Sequence, residues 1–407
     1  MKNALAMAGL YAALALLYAL ARIYGGYGIW FLFGAGSLLV AYETLVLAAL
    51  PRRFTVRREL SAERAQAGDD VRVTLRIGMP GRRLLPVRWL RVEDALPKRL
   101  AVRVDRPVWL AYPQRARETA VVYELRCVPR GVYALSDITV SCGDMFGLVT
   151  RRRRLPAPAP LTVHPAAAAL AALPGALRTE TGARVLPARA ADDAERVIGV
   201  RDYVPGDRLS RIHWPATART GQLRSKEFEC AAGRELVLAI DAAQAAFRDD
   251  ARAFELALST LATFARCAYR DGLAFGFYAL AKREWELPMA RGDTALIRTL
   301  AALAALSPGG PETLPSSPWR LLKFPREATV ILAARGVDAQ WTRCAVIAQE
   351  RRLRVHLFAI TADDPPAPEE REAAEQMRRF GWQVHFVRTL ASLEALAQGG
   401  VGHALRA

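Results

Sequence analysis

Residues 3–21 contain no charged side chain, and neither do residues 23–42; only Arg22 separates the two runs. An uncharged apolar run of about 20 residues has the length a helix needs to cross a bilayer core. Within lipid a chain must satisfy its own backbone polar groups, so each run is predicted to be a helix. The connection through Gly25-Gly26 is short and turn-forming, which predicts a helical hairpin. A cleaved signal peptide is the competing reading, since Ala19-Leu20-Ala21 looks like a processing site, but the apolar run exceeds a usual signal core. Arg52, Arg53, Arg57 and Arg58 follow the second run, whereas only Arg22 lies in the turn. The positive-inside rule then predicts both termini, and all soluble parts, on the cytoplasmic side of the inner membrane. The hairpin is expected over residues 1–50, with membrane contact through 3–21 and 28–50.

A chain of 407 residues has room for two or three domains besides. Residues 54–165 alternate apolar and polar positions in short runs, as in Val71 to Ile77, Val121 to Cys127 and Val132 to Val140, separated by turn formers such as Pro129-Arg130-Gly131. That pattern predicts a small β-sandwich-like domain. The net charge of +17 is concentrated here: residues 51–160 hold 23 Lys and Arg against 11 Asp and Glu. The run Arg151 to Arg154 reads as a solvated edge that also attracts anionic lipid, at about 1 kcal/mol per basic residue near the surface. Nucleic acid is not an expected partner, because no stacking motif accompanies the charge. The five cysteines form no CxxC pair, which fits reduced thiols in a cytoplasmic protein.

Residues 166–198 are rich in Ala and Pro and read as a linker. From residue 231 to 407 strands alternate with helices: Glu235 to Ile240 ending at Asp241, helix Arg252 to Tyr269, Leu273 to Leu280 with Glu284 to Leu287 as an antiparallel neighbour, then Thr329 to Ala333, Val355 to Ile360 and Trp382 to Val387. Such alternation predicts a parallel sheet covered on both faces, with ligands at the carboxyl ends of its strands.

Between linker and sheet lies residues 199–230, the densest constellation in the chain. Pro205-Gly206 is a turn signal and Asp207 stands where a helix N-cap would, so Arg208 to Trp214 reads as a helical turn ended by Pro215. Arg201, Asp202, Asp207, Arg211 and Arg219 surround Tyr203 and Trp214. A salt-bridged structural loop is one reading. A docking surface is the other, since Arg, Tyr and Trp dominate binding hot spots. His164, His213, His356, His385 and His403 are scattered without HExxH or GxSxG, so no catalytic residue is assigned. His213 reads as a packed, hydrogen-bonded residue beside Trp214.

Arg201-Asp202-Tyr203-x-Pro205-Gly206-Asp207, followed by Arg211-Ile212-x-Trp214, Ala218-Arg219 and Leu223, resembles the signature of the domain of unknown function 58 family. Gly143-Asp144-Met145-Phe146-Gly147-Leu148 is similar to a second family element, with Met145 where proline is usual. The resemblance implies two membrane spans, a β-rich segment and a C-terminal von Willebrand factor A-like domain. It also implies association with MoxR-type AAA+ ATPases. Domains of that type often carry Asp-x-Ser-x-Ser for Mg²⁺, whereas this chain has Asp241-Ala242-Ala243-Gln244-Ala245. With both hydroxyls replaced, the metal site is degenerate and no cofactor is expected. Arg335 stands near the place where relatives have an acidic residue, so Asp241 and Arg335 are predicted to form an ion pair in place of the metal. The function these expectations favour is a membrane-anchored binding or scaffold protein, not an enzyme, that acts with such an ATPase in assembly or maturation of other proteins. The alternatives are a hydrolase-like enzyme using the charged segment, or a Mg²⁺-dependent adhesion-type binding domain.

Overall fold

The computed structural model describes residues 2–51, 53–79, 89–104, 108–113, 118–170, 173–174, 177, 196–203, 212–229, 235–247, 250–361 and 365–398. The chain divides into two compact units, Met1–His164 and Pro165–Ala407.

The first unit begins with α1 (Lys2–Tyr24) and α2 (Tyr27–Ala49), both long and apolar enough to cross a membrane. Gly25 and Gly26 join them at φ 67° and 87°, values that a residue with a Cβ adopts only with strain. Glu43 is the one carboxyl inside α2 and is fully buried, turned toward Asp144 of the β-rich part. Burial against protein is how an apolar span tolerates such a group.

Among the described residues eight strands follow: β1 (Thr55–Leu60), β2 (Arg64–Gln66), β3 (Val71–Gly78), β4 (Leu90–Asp94), β5 (Val108–Ala111), β6 (Glu118–Leu125), β7 (Gly131–Gly143) and β8 (Thr150–His164). They form two sheets, β1-β3-β6 and β2-β8-β7-β4-β5. The alternation expected along Val71 to Ile77 buries Val71, Val73, Leu75 and Ile77, which meet Leu90, Val92, Leu135 and Val140 of the other sheet in one core. Met7, Val46 and Leu50 of the hairpin complete that core. The Asn3 amide donates to Thr150 O at 2.6 Å, and Arg151 Nη1 donates to Leu50 O at 2.7 Å.

Arg58 departs from its expected role as an exposed topology-setting charge. Its side chain is fully buried, paired with Asp94 across the two sheets. Its Nη1 also donates to Ala157 O at 2.6 Å, while Tyr123 Oη donates to Asp94 Oδ2 at 2.6 Å. The basic run Arg151 to Arg154 lies inside β8, where Arg152 pairs with Glu93 and Arg154 with Asp137.

In the second unit the described part of the expected linker is not a free tether. Ala168, Leu170, Leu173 and Leu177 are buried in the core of the α/β body, because the Ala/Leu spacing gives this stretch an apolar side to bury. The body is a six-stranded sheet in the order β13-β12-β11-β14-β15-β16: β13 (Glu284–Ala290), β12 (Phe275–Leu280), β11 (Leu236–Asp241), β14 (Thr329–Arg335), β15 (Arg354–Ile360) and β16 (Gln383–Val387). All neighbours are parallel except β12 and β13, the predicted antiparallel pair. One face packs on Ala251–Arg270 and Gly292–Ala305, the other on Thr342–Glu350 and Pro368–Arg379. Both faces of the central strands are therefore covered, which explains why β11, β12 and β14 read as continuous apolar runs.

Candidate functional site

Two strands hold the signature segment. β9 (Arg196–Asp202) and β10 (Arg224–Glu229) pair antiparallel, with Asp202 opposite Arg224 and Arg201 opposite Ser225. Asp202 Oδ1 accepts from Arg224 Nη1 at 2.7 Å, a contact with the Asp202 side chain largely exposed. Between the strands, Ile212 bridges Ser225, Tyr203 N donates to Leu223 O at 3.1 Å, and His213 N donates to Arg224 O at 2.8 Å. Ile212 and Ser225 are the buried anchors of the segment.

α3 (Trp214–Thr220) rises from this base. The sequence predicted a helical turn ending at Pro215, whereas Pro215 lies in the first turn of α3. A proline there removes an N–H that has no intrahelical acceptor anyway, so it starts a helix as readily as it stops one. The N-cap is His213, whose Nδ1 accepts from Ala216 N at 3.1 Å, which requires the neutral ring protonated on Nε2. Thr217 Oγ1 accepts from Arg224 N at 3.0 Å, and Gly221, at φ 69°, closes the helix by donating to Thr217 O. This small helix is thus fixed at both ends and sideways to β10. It presents Trp214, 63% exposed, with Leu223 and Arg219 also exposed. Pro205, Gly206, Asp207 and Arg211 lie outside the described residues, as does the Arg201 side chain. His213 and Thr217 gave no functional signal in the sequence, and their capping roles need the fold to be seen.

The carboxyl edge of the parallel sheet differs from expectation. Asp241 is 1% exposed, and its carboxylate accepts from Ala243 N at 3.2 Å and Leu314 N at 2.8 Å. Burial pushes its pKa up to about 6, partly opposed by those two amides. The expected pair with Arg335 does not form. Arg335 Nε lies 3.6 Å from Asp250 Oδ2, and its Nη1 donates to Ile360 O at 2.9 Å. Register explains the miss: Ile240 aligns with Ala333, so Asp241 falls beside Ala334 and shares its face, while Arg335 points to the other. Among the described residues no three His, Cys, Asp or Glu side chains are grouped as a metal would require. The alanines after Asp241 offer no oxygen ligands from their side chains, so the residues present do not fit the Mg²⁺ site of the resembling domains.

The chain is 28% identical over 295 residues to "Uncharacterized protein YeaD" of Bacillus subtilis (strain 168), covering 71% of this chain and 72% of that protein. Among solved structures, the PilB minor pilin from Streptococcus sanguinis superposes with a TM-score of 0.30 and 7% identity, covering 77% of this chain and 87% of the pilin. The CARDB domain of the PF1109 protein from Pyrococcus furiosus, a complex with di-metal ions, gives a TM-score of 0.20 and 11% identity over 27% of this chain and 87% of that domain. Both superpositions are too poor to bear on fold or site. Residues 199–369 match the family model described as "Protein of unknown function DUF58", a region that takes in the β9–α3–β10 segment and the parallel sheet through β15.

Proposed function

We propose that this is a membrane-anchored binding protein, held by its helical hairpin, which presents the α3 segment on the cytoplasmic side to a protein partner. The exposed Trp214 on a rigidly capped helix carries this reading. A large apolar ring in water has an unfavourable hydration term that burial against a partner would relieve, and Trp with neighbouring Arg is the residue set of binding hot spots. The family resemblance makes an AAA+ ATPase of the MoxR type the partner to test, and assembly or maturation of other proteins the process. The C-terminal unit we infer to be von Willebrand factor A-like, on its strand order and its antiparallel edge strand, and to act by binding rather than catalysis.

Titrating the full-length protein in detergent with a candidate ATPase tests the docking role. Trp214→Ala is expected to change stability by no more than about 0.5 kcal/mol, as at other exposed sites. It should weaken partner binding by at least about 2 kcal/mol, roughly 30-fold. Unchanged binding by a folded variant would exclude the ring as the anchor. Topology is tested separately. A reporter active only outside the cytoplasm should be silent when fused after Ala407 and active when placed at Gly25; the opposite pattern would reverse the orientation.

A further inference from the structure

The turn between β7 and β8 carries large apolar side chains in the open. Met145 is 67% exposed and Phe146 65%, with Leu148 also exposed. The turn itself is stiff. The Asp144 carboxylate accepts from Phe146 N at 2.7 Å and from Val149 N at 2.8 Å, and Trp89 Nε1 donates to Asp144 O at 2.7 Å. Gly147 supplies the positive φ, 76°, that the reversal needs. These apolar tips are therefore held outward, not left there by a floppy loop.

Their position relative to the hairpin gives them a use. The Phe146 ring meets Tyr42 edge-on, with centroids 6.1 Å apart. Tyr42 lies seven residues before the end of α2 at Ala49. At 1.5 Å per residue, Phe146 thus reaches about 10 Å along the helix from its C-terminal end. Interfacial apolar groups typically sink about 5–10 Å into the boundary between headgroups and acyl chains. Behind the turn, Arg151 and the exposed Arg153 follow in β8, at the level where α2 ends, since Arg151 bonds Leu50 O.

We infer that the 144–149 turn is a third membrane contact, with Met145, Phe146 and Leu148 entering an anionic bilayer beside α2 and Arg153 meeting lipid phosphates. This rests on the hairpin spanning the membrane. Apolar residues below and guanidinium groups above match the layering of an interface in which charge attracts anionic headgroups and rings prefer the boundary.

Nitroxide labels on the full-length protein in nanodiscs would test it. Labels are placed at Met145→Cys, at Val132→Cys near the far end of β7, and at Leu38→Cys on α2, with Cys127 and Cys230 replaced by serine. In discs containing phosphatidylglycerol, the label at 145 is expected to collide with oxygen and to be shielded several-fold from a water-soluble nickel chelate relative to 132. In discs of phosphatidylcholine alone the shielding at 145 should fall, and Arg153→Glu should remove the difference between the two lipids. If 145 is as open to the chelate as 132 while 38 is shielded, the turn does not enter the bilayer and the inference fails by itself. If 38 is open too, the spanning hairpin fails and takes the inference with it. Equal shielding in both lipids would overturn the role of Arg153.

Discussion

Replacing Asp94 by alanine is expected to destabilise the β-rich unit by about 3–5 kcal/mol, the range for removing one partner of a buried ion pair. Arg58 and Asp94 side chains have no exposed surface, and the pair links strands of different sheets. With Asp94 gone, the Arg58 guanidinium would remain desolvated with only backbone carbonyls for company, and Tyr123 Oη would lose its acceptor. Tyr123 also stacks on Trp109 at 4.2 Å, so disturbance at one end of the network reaches the aromatic packing at the other. Replacing all three polar partners, as Arg58→Met with Asp94→Leu and Tyr123→Phe, is expected to recover most of the loss, because an apolar set of similar volume removes the desolvation term altogether. Hydrogen exchange of the β3 and β7 amides in the full-length protein measures both. A cost below about 1 kcal/mol for Asp94→Ala would mean that the pair behaves as a surface ion pair does.

That network marks where reading the chain alone stops. Arg58 sits in a run of basic residues after an apolar span, and nothing local distinguishes it from Arg53 or Arg57, which do face outward. Only the packing of β1 against the other sheet, where Arg58 meets Asp94 of β4 and Ala157 of β8, buries it. The strands themselves were legible because each carries its own periodicity: Val71 to Ile77 alternates since one face is wet, and Leu236 to Ile240 is continuously apolar since neither is. The hairpin was legible for the same local reason. The stretch after His164 was misread because Ala/Pro-rich composition says nothing of whether Leu170 and Leu173 have a surface to land on.

The 199–230 segment shows both limits. Its composition of Arg, Asp, Tyr and Trp singled it out, but the direction of its helix did not follow from Pro215. Proline is compatible with a helix start and a helix stop, and the choice fell to the cap that His213 supplies. Whether Trp214 is core or surface likewise depends on what lies opposite, and a signature cannot contain its own surroundings.

Stability of the C-terminal unit is expected to fall as pH rises from about 4 to about 6 on account of Asp241 alone, the reverse of what an ion-paired carboxylate gives. In the folded chain its pKa stands at about 6, lifted by burial. In the unfolded chain an aspartate titrates near 3.9, roughly two units lower. Between these values the native state keeps a proton that the unfolded state has released, so unfolding becomes easier as pH increases. The contribution is fully present below the unfolded pKa and lost once pH passes the folded one. Two units correspond to about 3 kcal/mol. The two amides at Ala243 and Leu314 reduce the burden of the ionised form without cancelling it, and the expected counter-charge is absent because Arg335 turns to Asp250 on the other face of the sheet. Other carboxylates titrate over the same range, so the test is the difference between the natural protein and Asp241→Asn, which cannot ionise there. That difference, measured by denaturant unfolding across the interval, should shift by about 3 kcal/mol against the natural protein from the acid to the neutral end. A flat difference would mean that the amides solvate the carboxylate as well as water does, and that the sheet edge bears no cost for the charge it buries.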